Sequence, residues 1–194
     1  MEDGKRKPRR DALENHARLI TAARDVLGKG GPGASLEAVA RQAGLGVGTL
    51  YRHFPHREAL FHAVYRADLE QVVAGAEALE AHDDPLEGLR AWLHANVAVV
   101  ETKRGLLGAL SVALTEDARA SYADLSQRLR LAVDRLLNQG AARGKLRADV
   151  RADDLIETMY AFCYAHPPGP DWRQQVLRRL DIFVDGLRAQ PSGR

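Results

Sequence analysis

Within five residues the chain sets Thr49, Tyr51, Arg52 and His53, whose hydroxyls, guanidinium and imidazole suit phosphate oxygens and base edges. Gathered on one face of a helix, such groups recognise a nucleic-acid groove rather than break bonds. No Ser, His and Asp constellation, H-x-x-x-H pair or Gly-rich phosphate loop accompanies them. Recognition is therefore the expected chemistry, and an enzyme is not expected.

The elements that must hold these groups can be read on either side. Ser35 suits the cap of a helix whose apolar positions are Leu36, Val39, Ala40 and Ala43, a spacing that leaves Glu37, Arg41 and Gln42 in solvent. Gly44 offers the left-handed conformation that ends a helix at little cost. A second short helix, from about Val47 to Phe54, buries Leu50 and Phe54, and Pro55 stops it. Two short helices about a glycine turn make a helix-turn-helix.

Ahead of this pair, a first helix is expected from Asp11, with Glu14 completing a capping-box pattern and Leu13, Ala17, Ile20, Ala23 and Leu27 as the buried stripe. Gly28, Gly30, Gly31, Pro32 and Gly33 then break the chain. The net charge of the chain is only +2, but it is unevenly spread. Residues 1–60 hold eleven Lys and Arg against seven Asp and Glu, whereas the remainder holds seventeen against nineteen. The excess is densest at Lys5, Arg6, Lys7, Arg9 and Arg10. Such an arm would lie along phosphates or enter a minor groove, or serve only as a solubilising tail.

The run from Leu36 to Phe61, LEAVARQAGLGVGTLYRHFPHREALF, resembles the TetR (tetracycline repressor) family, whose recognition helix reads like GTLYRHF and is followed by a basic residue and an E-A-L-F-like helix start. Gly48 to Phe54 and Arg57 to Phe61 carry the match, which covers about the first third of the chain. The resemblance implies an all-α homodimer, with an N-terminal three-helix DNA-binding domain and a C-terminal helical bundle that binds a small molecule and dimerises. The boundaries expected on this basis are a basic arm over 1–10, a helix-turn-helix domain over 11–56 and a ligand-binding and dimerisation domain over 57–190. Carried over by position, it implies Thr49, Tyr51 and His53 as groove and phosphate contacts, Ser35 as a phosphate contact and Arg57 as a backbone clamp. Gly46, Val47 and Gly48 complete that surface. Gly46 and Val47 depart from the polar residues common there, so direct base reading is poorer, although Val47 suits a thymine methyl. The implied partner is a palindromic double-stranded operator, and the implied role a repressor released by an effector. An activator of the same fold, or a helical interaction module without specific DNA binding, are the alternatives.

Past this region the periodicity predicts a long fourth helix over 56–81, a break at His82 to Pro85, and a fifth helix carrying Leu89, Trp92, Leu93, Val97 and Val100. A sixth near 102–114 is apolar almost all round, and a seventh is expected over 118–142. The last two are expected over 152–166 and 171–189. On the final one Val176, Leu180, Phe183, Val184 and Leu187 form a stripe that is either core or, as the resemblance implies, an interface with a second subunit. Candidate ligand-pocket residues are Trp92, His94, Asn96, Leu110, Met159, Phe162 and Cys163, each also explicable as plain packing. Few polar groups converge there, so the expected effector is apolar or aromatic.

Composition sets the outer limits. With 45% hydrophobic but only 6% aromatic residues, the chain is suited to helix packing by Leu, Ala and Val. It has no run of eighteen apolar residues and a charged rather than apolar N-terminus, so neither a membrane span nor a secretory signal is expected, and a cytoplasmic location is. Cys163 is the single cysteine, which excludes an intramolecular disulfide; it reads as an inert core thiol or a redox sensor. His53, His56 and His62 lack companions at ligand spacing, so neither a metal nor another cofactor is expected.

Overall fold

The computed structural model describes residues 6–30, 34–79, 82–107, 116–167 and 169–189. Its described residues form an all-α fold of eight helices: α1 (Arg6–Gly30), α2 (Leu36–Gln42), α3 (Val47–His53), α4 (Arg57–Ala78), α5 (Pro85–Leu107), α6 (Glu116–Ala142), α7 (Ala152–Tyr164) and α8 (Trp172–Asp185). An isolated antiparallel bridge joins Leu146 to Arg188. No helix among the described residues is long and apolar enough to cross a membrane.

The chain divides into two compact units. The first holds residues up to Asp68 with the described part of 101–118, and the second holds Leu69 to Val100 and residues from Arg119 onward. Helix α4 carries the chain from one to the other.

In the first unit Leu19, Ala23, Leu27, Val39, Leu50, Leu60 and Val64 are fully or almost fully buried in a single apolar cluster. Burying one such Leu stabilises by roughly 2 kcal/mol, so α1 and α4 together hold the two short helices, which would not persist alone. Helix α1 differs from expectation in two ways. It begins at Arg6 rather than Asp11, and its predicted row holds only in its later part: Ala23 and Leu27 are buried and Ile20 packs against the core, but Leu13 is 69% exposed and Ala17 exposed, while Leu19 and Ala22 are buried as well. His16 is half-buried, its ring 4.8 Å from that of Phe54.

In the second unit Val72, Ala76, Leu89, Trp92, Leu93, Val97, Val133, Leu136, Leu155, Met159, Cys163, Val176, Leu180 and Val184 belong to one core. Two expectations change here. No break separates the predicted fifth and sixth helices where they were expected to part, because nothing between Val100 and Thr102 interrupts helical hydrogen bonding; α5 continues to Leu107. The rest of that predicted helix, Leu110 included, lies outside the described residues. Helix α8 ends at Asp185 rather than near Ala189, with Gly186 as its C-cap. Of the predicted stripe, Val176, Leu180 and Val184 on α8 and Leu187 beyond its end are buried within the one chain, and Phe183 is half-buried against the same core.

Two polar arrangements stand out against these cores. Asp68 on α4 is 3% exposed and lies 2.5 Å from Arg24 on α1. On α8, Asp181 accepts from Arg90 and pairs with His94, both at 2.8 Å, while Arg90 also donates to Asp185 at 2.7 Å.

Candidate nucleic-acid interface

The surface carrying Thr49 and Tyr51 is built from the turn between α2 and α3. Ser35 caps α2 by accepting from the Ala38 amide at 3.1 Å, a contact whose loss typically costs about 1 kcal/mol. At the other end the Leu45 amide bonds to Ala40 O at 2.9 Å and the Gly44 amide to Arg41 O at 3.0 Å. Gly44 has φ +65°, where an L side chain is strained, so the turn requires glycine there.

Helix α3 then starts at Gly46, which offers no side-chain cap. Leu50 is fully buried and Phe54, immediately after the helix, nearly so. That anchoring leaves Gly46, Val47, Gly48, Tyr51 and Arg52 exposed, with Thr49, His53 and Arg57 half-buried. Ser35 is exposed as well. A Cβ built at Gly46 or Gly48 would meet no atom within 4 Å, so neither glycine is required by packing inside the protein. Neither residue has a positive φ. The start of α3 is therefore a bare backbone surface between an exposed valine and a hydroxyl.

Two cations flank this patch. Arg52 lies back along α3, donating from Nε to Gly48 O at 3.2 Å and from Nη2 to Thr49 Oγ1 at 3.3 Å. Arg57 places its guanidinium 5.1 Å from the centroid of the Phe61 ring. His53 faces His16 of α1, their rings 5.8 Å apart. Burial, and then the neighbouring His53, lower the His16 pKa from the ordinary histidine value.

Thus α3 brings Val47, Gly48, Thr49, Tyr51 and His53 together, with Gly46 as its N-cap, whereas Ser35 and Arg57 sit on the helix boundaries before and after. Arg52, on the same face, belongs with them and was legible from its spacing. His16 and Arg18 of α1 also reach this region. No sequence signal marks them, since their partners are at least 25 residues away: Arg18 Nη2 donates to Ala43 O at 2.6 Å.

The candidate pocket residues are divided. Trp92, Met159 and Cys163 belong to the second unit's apolar core, and Phe162 packs against it. The Trp92 indole donates to Val72 O at 3.0 Å, Asn96 Nδ2 donates to Trp92 O at 3.0 Å, and Cys163 O accepts from the Trp172 indole at 3.1 Å. Phe162 meets Phe183 edge-on at 6.5 Å. His94 turns instead toward Asp181. Burial works to raise the Asp181 pKa, but the hydrogen bonds from Arg90 and His94 outweigh it and leave the carboxyl below its ordinary range.

Known proteins resemble the chain along both units. Residues 19–64 match the family model described as bacterial regulatory proteins, tetR family, and residues 84–189 match that for the C-terminal domain of SbtR-like transcriptional regulators. The TetR transcriptional regulator SCO0520 from Streptomyces coelicolor superimposes with a TM-score of 0.75 at 35% identity, over 91% of this chain and 99% of that one. A TetR transcription regulatory protein from Mycobacterium vanbaalenii gives 0.71 at 29% identity, over 93% and 98% of the two chains. Among curated proteins, the HTH-type transcriptional regulator UidR of Escherichia coli K12 is 32% identical over 80 residues, 41% of this chain. That alignment spans only 38% of the length of UidR.

Proposed function

Since the chain belongs to the TetR family of helix-turn-helix transcriptional regulators, we propose that it is a homodimeric repressor released from a palindromic operator by a small, largely apolar effector. The carrying observation is the outer face of α3, where Thr49, Tyr51 and Arg52 surround a backbone left bare by Gly46 and Gly48. A groove wall can approach that bare stretch closely. In this reading Tyr51, Thr49 and His53 contact groove and phosphates, Val47 meets a thymine methyl, and Ser35 and Arg57 hold the flanking backbone. In this reading 11–56, together with Arg57 and the first turns of α4, serve DNA and the rest of 57–190 serves ligand and dimer, with the basic residues of 1–10, where α1 begins, as the arm.

Dimerisation through α7 and α8 is supported by apolar side chains left outside the core. Ile182 is 61% exposed and Tyr164 44%, with Tyr160 stacked on Tyr164 at 6.3 Å. Two subunits would set two copies of α3 about 34 to 36 Å apart, one turn of duplex. The effector reading rests on the apolar core to which Trp92, Met159 and Cys163 belong and against which Phe162 packs, a setting with few polar groups to hold a charged ligand. Coupling between effector and operator would be about 1–3 kcal/mol per ligand event.

Selection of bound fragments from genomic DNA by purified protein, followed by a salt titration on the best site, tests this reading. The expected result is an enriched palindrome whose affinity falls steeply with salt and drops several-fold or more in Tyr51→Ala. Weak, unselective binding by the wild type would overturn it.

A further inference from the structure

Arg18 lies outside the surface just described, on α1, yet it reaches into the turn from which α3 departs. Its Nη2 donates to Ala43 O at 2.6 Å and approaches Gly44 O at 3.5 Å. Ala43 is the C-cap of α2, and carbonyls at a helix C-terminus have no amide further along the helix to accept from. A guanidinium placed there supplies a charge-assisted donor and complements the negative end of the helix. The base of this contact is fixed, because Leu19 and Ala23 are fully buried and Ala22 nearly so.

Gly44 is fitted to the same contact. A Cβ on Gly44 would come within 2.9 Å of Arg18 Nη2, so the glycine provides the left-handed turn and also leaves room for the guanidinium. Arg18, Ala43 and Gly44 thus form one joint. Two residues later Gly46 begins α3, with the Thr49 amide bonded to Gly46 O at 2.9 Å.

We propose that Arg18 is a positioning residue for DNA reading: anchored on α1, it holds the carbonyls of the α2–α3 turn and so sets the direction in which α3 presents Thr49 and Tyr51. The inference rests on the DNA-reading function proposed above. It separates Arg18 from a phosphate contact, which would contribute charge alone, and from a stabilising contact, which would leave α3 correctly aimed in the folded fraction.

The test compares full-length wild type, Arg18→Gln and Arg18→Lys on two duplexes: the palindrome selected by the wild type and an unrelated duplex of equal length. Positioning predicts that Arg18→Gln lowers the ratio of selected-site to unrelated affinity by about tenfold, the scale of a lost charge-assisted hydrogen bond. Arg18→Lys keeps the charge but not the planar fork, so the salt slope stays unchanged while part of the selectivity is lost. Amide chemical shifts of residues 47–53 should move in both variants. A loss equal on both duplexes in Arg18→Gln, with the salt slope falling by about one and Arg18→Lys restoring it, overturns the inference in favour of a phosphate contact. An unchanged ratio with only a lower melting temperature overturns it in favour of a stabilising role. Should Arg18→Gln fail to fold, the selectivity ratio of Arg18→Lys decides alone. A wild type that prefers no duplex removes the DNA-reading function itself, whereas wild-type selectivity retained by both variants removes only the role of Arg18.

Discussion

The rings of His16 on α1 and His53 on α3 lie 5.8 Å apart, tilted by 57°, so a scaffold helix and the candidate reading helix share a pair of imidazoles. His16 also packs on Phe54, the residue that ends α3. Burial and the nearby His53 both disfavour a proton on His16. A base whose pKa is lowered by folding binds protons more readily in the unfolded chain. Its stabilising effect is therefore complete above the ordinary histidine range, and is lost as the pH falls through that range to the lowered folded value. Thermal melts between about pH 7 and pH 5 should show this loss, and His16→Gln should flatten it. His53→Gln should move the His16 titration, followed by NMR, part of the way back. An unmoved His16 titration would assign the shift to burial alone.

Arg24 and Asp68 tie α1 to α4 through a nearly buried carboxylate. Burial raises the Asp68 pKa, and Arg24 opposes that without cancelling it. Arg24→Leu leaves the carboxylate buried without its cation, and should destabilise the first unit by about 3 kcal/mol in chemical denaturation. Arg24→Leu combined with Asp68→Leu should recover most of the loss, because a buried ion pair replaced by apolar side chains is often neutral. A double variant as unstable as Arg24→Leu would contradict this account.

The same substitution should act with opposite signs at two glycines. At Gly48 a Cβ meets open space, so Gly48→Ala should stabilise α3 by about 0.5–1 kcal/mol while weakening operator binding, where the added methyl stands against the groove. At Gly140 on α6 the Cβ would collide with the side chain of Leu146, which is 2% exposed. Overpacking there costs about 1–3 kcal/mol, and Gly140→Ala should lower the melting temperature despite the better helix propensity of alanine. A Gly48→Ala protein that binds its operator as tightly as the wild type would show that no DNA surface approaches that point.

Asp181 joins α8 to α5 through Arg90 and His94. Because folding lowers its pKa, its contribution is complete above the ordinary carboxylate value and is lost as the pH falls through the folded one. Asp181→Asn should lower the melting temperature at neutral pH, and the gap from the wild type should close as the pH falls below the ordinary carboxylate range. A gap independent of pH would mean that the side chain acts by shape rather than charge.

The helix-turn-helix was legible because its signals are local. Ser35 caps, Gly44 turns, Leu50 anchors, and Thr49, Tyr51 and Arg52 fall outward by the helical repeat alone. Arg18 and His16 were not legible, since nothing near them in the chain marks Ala43 or Phe54 as a neighbour. The pocket candidates show a similar limit. Periodicity placed Trp92, Met159 and Cys163 inward without distinguishing His94, which leaves the core for Asp181.

By itself, then, the sequence determined the two short helices, the glycine turn between them and the face that α3 turns outward, because each follows from backbone preference and apolar spacing within a few residues. Tertiary structure decided that Leu13 and Ala17 of the predicted α1 row stay exposed while Leu19 and Ala22 are buried, that Val176, Leu180 and Val184 on α8 are covered within their own chain, and that Arg18 closes on the turn before α3. Those outcomes depend on the register between packed helices. That register is set by the fit of side chains brought together from distant parts of the chain.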